Sequence, residues 1–205
     1  MIKARHTPVH VRFFNLFSAV MLNRHFRAVQ VHFESDSFPK AVCLVGNHFS
    51  WWDGFIANYL AKKVFDKKLY IMMLEKELKS RMFLNKAGAF SVNRESRSMI
   101  ESMNYSVEVL QESGNLLAMY PQGKIESMHI FPFTFDRGLE RIRSRSEDHH
   151  LVFYAAVADY FSHKKPQLDI YLKMTLLDKT SSIEDIQEGY NSFYRDSIHS
   201  QSQYE

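Results

Sequence analysis

The sequence predicts an α/β domain with a mixed, largely parallel sheet flanked by helices. Three observations carry that reading. Short apolar runs recur along the chain, segments of helical period separate them, and the runs end at glycine or proline. Residues 41–46 are a buried strand ending in Gly46, and 52–65 a helix through Phe55, Ile56, Tyr59, Leu60 and Val64. Residues 69–74 form a second strand, 75–84 a short helix and 90–92 a brief strand. The segment 96–114 is a helix with Met99, Met103, Val107 and Leu110 on one face and Gly114 as its stop. Residues 116–120 are a third strand, cut off by Pro121 and Gly123, and 137–143 a short helix. Strands follow at 151–157 and 168–176, then a helix from Ser181 capped by Ser182 or Thr180. The charge-dense stretch 141–150 reads as a surface loop.

Composition narrows the functional classes. The chain has 205 residues, 45% hydrophobic and 24% charged, which is globular rather than disordered or multi-span. A single cysteine, Cys43, excludes an internal disulfide framework and a multi-cysteine zinc site. It also fits a reducing compartment. The net charge of +3 is too small for a dedicated nucleic-acid binder. That charge is uneven. Residues 1–33 hold Lys3, Arg5, Arg12, Arg24 and Arg27 with no acid, giving +5, and the rest of the chain carries −2.

The basic segment is also apolar. Phe13, Leu16, Phe17, Val20 and Leu22 fall at helical intervals, with Arg12, Asn15 and Arg24 off that stripe. Its greasiest stretch, 16–22, is far shorter than the ~20 residues a membrane span needs. Nor is it followed by a secretory cleavage pattern, because Arg24, His25 and Arg27 come next. Two readings stand for it, an interfacial helix held by apolar insertion and anionic lipid, and an ordinary helix packed on the core. The domain division expected is therefore 1–33, a basic amphipathic segment, and 34–205, the α/β body.

Chemistry in open α/β sheets gathers beyond the carboxyl ends of strands. Three loops there are unusual: residues 47–54, 88–94 and 120–127. Of the seven glycines, Gly46, Gly54, Gly88, Gly123 and Gly138 lie in or beside them, where backbone turns tightly or approaches a ligand. His48 and Asp53 are five residues apart, which on one helix would set them ~140° apart. They meet only if His48 is in the loop and Asp53 in the next helix's first turn. An imidazole held by a carboxylate at one nitrogen is free to act as a base at the other. Ser50 and Asp53 also have the spacing of a capping box.

These residues resemble the glycerolipid (lysophosphatidic acid-type) acyltransferases. Asn47-His48-x-x-x-x-Asp53-Gly54 is similar to their first block, and Gly88-x-Phe90-x-Val92-x-Arg94 to their second. Tyr120-Pro121-Gln122-Gly123 resembles their third, usually Phe-Pro-Glu-Gly-Thr-Arg-Ser, and Phe135-x-Arg137-Gly138 the basic-glycine pair after it. The resemblance spans about residues 41–160 in the right order. It implies a glycerol-3-phosphate acyltransferase-like fold and no cofactor. It implies His48 as the base that deprotonates the acceptor hydroxyl and Asp53 as the group that orients it. It implies substrate contacts at Asn47, Arg94, Gln122, Gly123 and Lys124. Arg94 would grip an acceptor phosphate, and the Gly123 backbone would hold the acceptor or the developing oxyanion. The donor implied is acyl-CoA or acyl-carrier protein, the acceptor a lysolipid, and no acyl-enzyme is expected. Cys43 then reads as core. Substrates with acyl chains also tip the basic segment toward a peripheral membrane contact on the cytoplasmic side, with Trp51 or Trp52 bordering it.

The departures fall in the third block, where Gln122 replaces the usual Glu and Lys124-Ile125 replaces Thr-Arg. The implied acceptors therefore include non-phosphate ones, an acyl-amino-acid lipid or a glycolipid. A catalytically silent lipid-binding relative is a further reading. A metal hydrolase using His48, Asp53, His129, His149 and His150 has no ligand cluster in the sequence to support it.

Overall fold

The computed structural model describes residues 1–33, 37–93, 98–147 and 149–203. Helices α1 (Pro8–His25), α2 (Asp53–Lys63), α3 (Glu75–Ser80), α4 (Met82–Asn85), α5 (Ser98–Leu110), α6 (Gly138–Arg145) and α7 (Ile183–Ser202) surround one sheet. Its strands are β1 (Val29–His32), β2 (Val42–Gly46), β3 (Lys68–Leu74), β4 (Ala89–Val92), β5 (Asn115–Met119), β6 (His150–Asp159) and β7 (Gln167–Met174). The strand order is β1-β7-β6-β2-β5-β3-β4. Five strands, β6 through β4, run parallel, and β7 turns back antiparallel on β6. The architecture is the mixed, largely parallel α/β sheet that the alternating pattern predicts.

The central strands are buried on both faces, which is why they read as unbroken apolar runs rather than alternating ones. Their side chains still split by period two. Val42 and Leu44 of β2, with Leu116 and Ala118 of β5, face Leu22, Phe55, Ile56 and Leu60 of α1 and α2. Cys43, Val45, Leu117 and Met119 face the opposite layer with Val107, Leu110, Leu139, Ile142 and Tyr190. Burial pushes the Cys43 thiol up to about 12, so it packs as a small apolar side chain.

Several expectations need correcting. The stripe expected on the N-terminal helix is not one face. Phe13, Leu16, Phe17 and Val20 are exposed, and Leu22 is fully buried against α2. The buried side of α1 instead carries Ser18, whose hydroxyl accepts a hydrogen bond from Asn58, and Phe14, whose ring stacks on Phe55 at 5.8 Å. Strand β1, at the end of the basic segment, pairs with β7 and so ties that segment into the sheet. The four-residue β1 escaped sequence reading because it is short and sits directly behind a helix. The helix expected at 75–84 is two short helices, α3 and α4, because Arg81 leaves helical geometry at φ −135° and ψ 49°. The expected loop at 141–150 is the second half of α6 and the start of β6. Leu139 and Ile142, three apart, bury one face of α6, and the Arg143 guanidinium is buried with them, donating to the carbonyls of Leu177 and Asp178. The expected cap of the last helix is Ser182, which forms a reciprocal capping box with Asp185.

Gly46 ends β2 where it meets Tyr154 of β6. A Cβ added there would lie 1.9 Å from the Tyr154 ring. The close approach lets the ring slide beneath the loop that follows β2. Gly46→Ala is expected to lower the unfolding free energy by about 1–3 kcal/mol, the usual cost of overpacking, measured by urea denaturation. A variant as stable as wild type would show that Tyr154 can move aside freely.

Candidate active site

Strands β2 and β5 are neighbours at the centre of the sheet, so the loops that leave their carboxyl ends meet. The first loop runs from Asn47 to Trp52 and delivers the chain into α2 at Asp53. The second leaves β5 at Tyr120 and returns at Asp136, whose N–H donates to the Pro121 carbonyl.

His48 lies in the first loop and Asp53 in the first turn of α2, and their side chains meet. Nδ1 of His48 is 2.6 Å from Oδ2 of Asp53. A carboxylate can only accept, so Nδ1 carries the proton and Nε2 the lone pair. The imidazole keeps about a quarter of its surface exposed, while the Asp53 side chain is 3% exposed. Oδ2 of Asp53 also accepts the N–H groups of Phe49 and Ser50, at 3.0 and 3.2 Å. Half of the capping box therefore forms. Asp53 caps the loop amides and braces the imidazole with the same oxygen, and Ser50 Oγ accepts from Trp52 N–H instead. Oδ1 of Asp53 is buried without a partner.

A column of tyrosines stands beneath the pair. The Tyr120 ring stacks under the His48 imidazole at 4.8 Å, and its hydroxyl donates to the Asp53 carbonyl at 2.9 Å. The Tyr154 hydroxyl donates to Tyr120, and that of Tyr190 in α7 to the Tyr154 carbonyl, both at 2.9 Å. Burial lifts all three hydroxyls well above the ordinary phenol value, which keeps them protonated donors.

The other sequence candidates divide. Asn47 is buried with its amide turned away from solvent. It donates to the Ala156 carbonyl and accepts from the Ala156 N–H, both at 2.9 Å, extending the β2–β6 ladder by one side chain. Oε1 of Gln122 accepts the His48 N–H at 2.7 Å, and its Nε2 donates to Glu126 at 2.8 Å. Gln122 thus holds the backbone of His48. Gly123 adopts φ +69°, and its N–H closes a turn onto the Tyr120 carbonyl at 3.0 Å. The left-handed backbone favours glycine at that position. The Lys124 ammonium is exposed and 2.9 Å from the Glu126 carboxylate. Arg94 lies outside the described residues. Among the described residues no three His, Cys, Asp or Glu side chains gather as metal ligands.

Sequence reading did not single out Glu126, Tyr154 or the residues of α7 that grip the second loop. Asn191 Oδ1 accepts the Phe133 N–H and its amide donates to the Phe133 carbonyl, at 2.9 and 3.1 Å. Gln187 accepts from the Phe135 N–H, and the Tyr194 hydroxyl donates to the Met128 carbonyl. These contacts span more than 50 residues and leave no local pattern. Tyr120, where the third block usually has Phe, was the one visible signal.

This geometry stands beside clear kinship. The sequence model of the Acyltransferase family matches residues 28–153, and the chain belongs to that family. No curated protein matches the chain in sequence. Six chains of solved structure match its fold. Among them is the 1-acyl-sn-glycerophosphate (LPA) acyltransferase PlsC of Thermotoga maritima, with a TM-score of 0.67 and 15% identity, over 95% of this chain and 80% of that one. At that identity the likeness is one of fold. The protein is an acyltransferase on a PlsC-like α/β scaffold.

Burial lifts the Asp53 carboxyl above its ordinary value, and the hydrogen bond from His48 pulls it back only in part. A carboxyl lifted by folding destabilises the fold as pH rises through the window above its ordinary value, and is neutral to stability below it. Asp53→Asn therefore is expected to melt at the same or a higher temperature than wild type at pH 7, with the difference shrinking on acidification. Turnover is expected to fall roughly 100- to 10,000-fold, the range for a disabled acid–base pair. Calorimetry at pH 4 and 7 beside kinetics checks both halves. A variant that loses stability at pH 7 would mean that Asp53 is held chiefly by the charge.

Proposed function

We propose that the protein transfers a fatty acyl group from a thioester donor, acyl-CoA or acyl-carrier protein, to the hydroxyl of a lysolipid. The observation that carries this reading is the 2.6 Å bond between His48 Nδ1 and the buried Asp53 carboxylate, with the imidazole reaching solvent. Family membership supports the acyl-transfer chemistry.

The steps follow from that geometry. The acceptor O–H hydrogen-bonds to His48 Nε2, and the proton moves there as the oxygen attacks the thioester carbonyl. Asp53 stabilises the imidazolium that forms. The new C–O bond is completed as the C–S bond breaks, and the thiolate leaves with the proton from Nε2. Cys43 does not carry the acyl group, since it is sealed in the core with its thiol lifted to about 12. Tyr120 and Gln122 keep the imidazole in register: one supports its ring, the other holds the backbone N–H of His48.

The reading includes a peripheral contact with the membrane's cytoplasmic face through α1. Val9, Phe13, Leu16, Phe17 and Val20 form one exposed apolar face of that helix. Soluble monomers rarely leave such a face uncovered. Beneath it the buried Phe55 touches both Phe17 and Trp51, and Trp51 is 62% exposed inside the His48 loop. Arg12, Arg24 and Arg27 are exposed at its margins, where they would meet anionic lipid. Among the described residues no helix is long and apolar enough to cross a membrane.

His48→Ala is expected to cut thiol release from acyl-CoA with a lysolipid acceptor at least ~100-fold in a variant that circular dichroism shows to be folded. Turnover within a few-fold of wild type would remove His48 from the chemistry. The double variant Phe13→Ser/Leu16→Ser is expected to weaken partition onto phosphatidylglycerol vesicles by about tenfold or more, as two large side chains lose insertion. Its melting temperature should hold, because both side chains are exposed. Undiminished sedimentation with vesicles would assign the contact elsewhere.

A further inference from the structure

We infer that Glu126 is a selectivity residue of the acceptor site, turning away phosphomonoester head groups and favouring lipid alcohols whose head groups are uncharged. The inference rests on the acyl-transfer reading above and names its substrate class.

Glu126 is fixed at both ends to the backbone of the base. Its N–H donates to the His48 carbonyl at 2.8 Å. Its Oε2 accepts from Gln122 Nε2 at 2.8 Å, and Gln122 Oε1 in turn accepts the His48 N–H at 2.7 Å. The carboxylate is therefore one side chain removed from His48 on two routes, and only 15% exposed. A negative charge held that firmly is a constant part of the field at the acceptor's entry.

It also engages a cation of its own loop. Lys124 is the basic residue this loop offers, and its ammonium lies 2.9 Å from Glu126 Oε1. The hydrogen bonds from Gln122 and Lys124 hold the Glu126 carboxyl below its ordinary range, so it is ionised at neutral pH. Asp53 is buried behind His48, so the contacts of His48 join two carboxylates, and the Lys124 ammonium is engaged by one of them. Ile125, between Lys124 and Glu126 in the chain, is exposed and apolar.

A phosphomonoester carries about −1.5 to −2 at pH 7. It would have to draw Lys124 off Glu126 and then sit beside the carboxylate so released. A head group of hydroxyls meets neither cost, because O–H groups donate to a carboxylate. The field suits a glycerol- or sugar-like head group.

The test compares 1-oleoylglycerol with 1-oleoylglycerol 3-phosphate in the same neutral micelles. The two share the acyl chain and the reactive hydroxyl and differ in the phosphate. His48-dependent release of CoA from oleoyl-CoA is the readout. Wild type is expected to favour the uncharged acceptor at least tenfold in kcat/KM. Glu126→Gln keeps the side chain's shape and frees Lys124, and is expected to move that ratio at least fivefold toward the phosphate. Ile125→Arg, at a solvent-facing position, is expected to move it the same way, and stands should Glu126→Gln fold poorly. A wild-type enzyme that uses the phosphate equally or better overturns the inference, as does a ratio unmoved in folded variants. Release with neither acceptor nor a total polar-lipid extract overturns the acyl-transfer reading, and the inference with it.

Discussion

The site depends on one buried hydrogen bond, from His48 Nδ1 to Asp53 Oδ2. Taking a carboxylate out of water is expensive unless its charge is met by donors. Asp53 is met on one oxygen by three, the imidazole and the N–H groups of Phe49 and Ser50. It also stands at the amino end of α2, where the helix favours negative charge. The loop 47–52 is wound around that carboxylate, and the same winding aims the imidazole outward. Local fold and functional geometry are one constraint here: the oxygen that orders the loop also fixes the tautomer of the ring. The unpartnered Oδ1 and the lifted carboxyl are the residual cost, of the kind that functional sites retain.

That constraint reaches far along the chain. The second loop must bring Tyr120 under the imidazole and Gln122 against the backbone N–H of His48, and residues 120–136 are too irregular to hold that shape alone. Helix α7 supplies the order. Asn191 pairs with both backbone groups of Phe133, Gln187 takes the Phe135 N–H, and Tyr190 closes the tyrosine column. Buried backbone groups in a loop need such partners, and side chains from a rigid helix provide them without conformational freedom of their own. The helix therefore acts on the site from the opposite layer of the core, where no chemistry occurs.

Much of this was legible in the sequence, and the reasons are physical. Strands buried on both faces leave apolar runs such as 42–46 and 115–119, and helices between them leave a 3.6 period, so the sheet and its order of elements could be read. His48 and Asp53 were legible because strand, loop and helix start follow within a few residues. What could not be read was set by distance. The Asn47–Ala156 and Asn191–Phe133 pairs join segments 109 and 58 residues apart, and no local pattern encodes them. Charge misled at 141–150, where Arg143 is buried because carbonyls of Leu177 and Asp178, rather than water, receive its guanidinium. At Gly123 the glycine itself signals the left-handed backbone, φ +69°, and the turn bond from its N–H to Tyr120 follows from that conformation.

The two faces of α1 complete the argument. One face is spent on the domain, with Leu22 sealed and Ser18 bonded to Asn58, so the helix is held in place before any lipid is met. The other face is apolar and, among the described residues, largely exposed. A helix docked by one face and bare on the other loses little further freedom on inserting, which lets even a modest apolar area count. Beneath the bare face Phe55 joins Phe17 to Trp51, three residues after His48 and two before Asp53. On the proposed reading, the loop that orders the base is then also the seam between bilayer and protein. Acyl chains approach along its Trp51 side, and the acceptor's polar end meets the Gln122–Glu126–Lys124 side. The short span between Asn47 and Asp53 is what brings the two environments together at one imidazole.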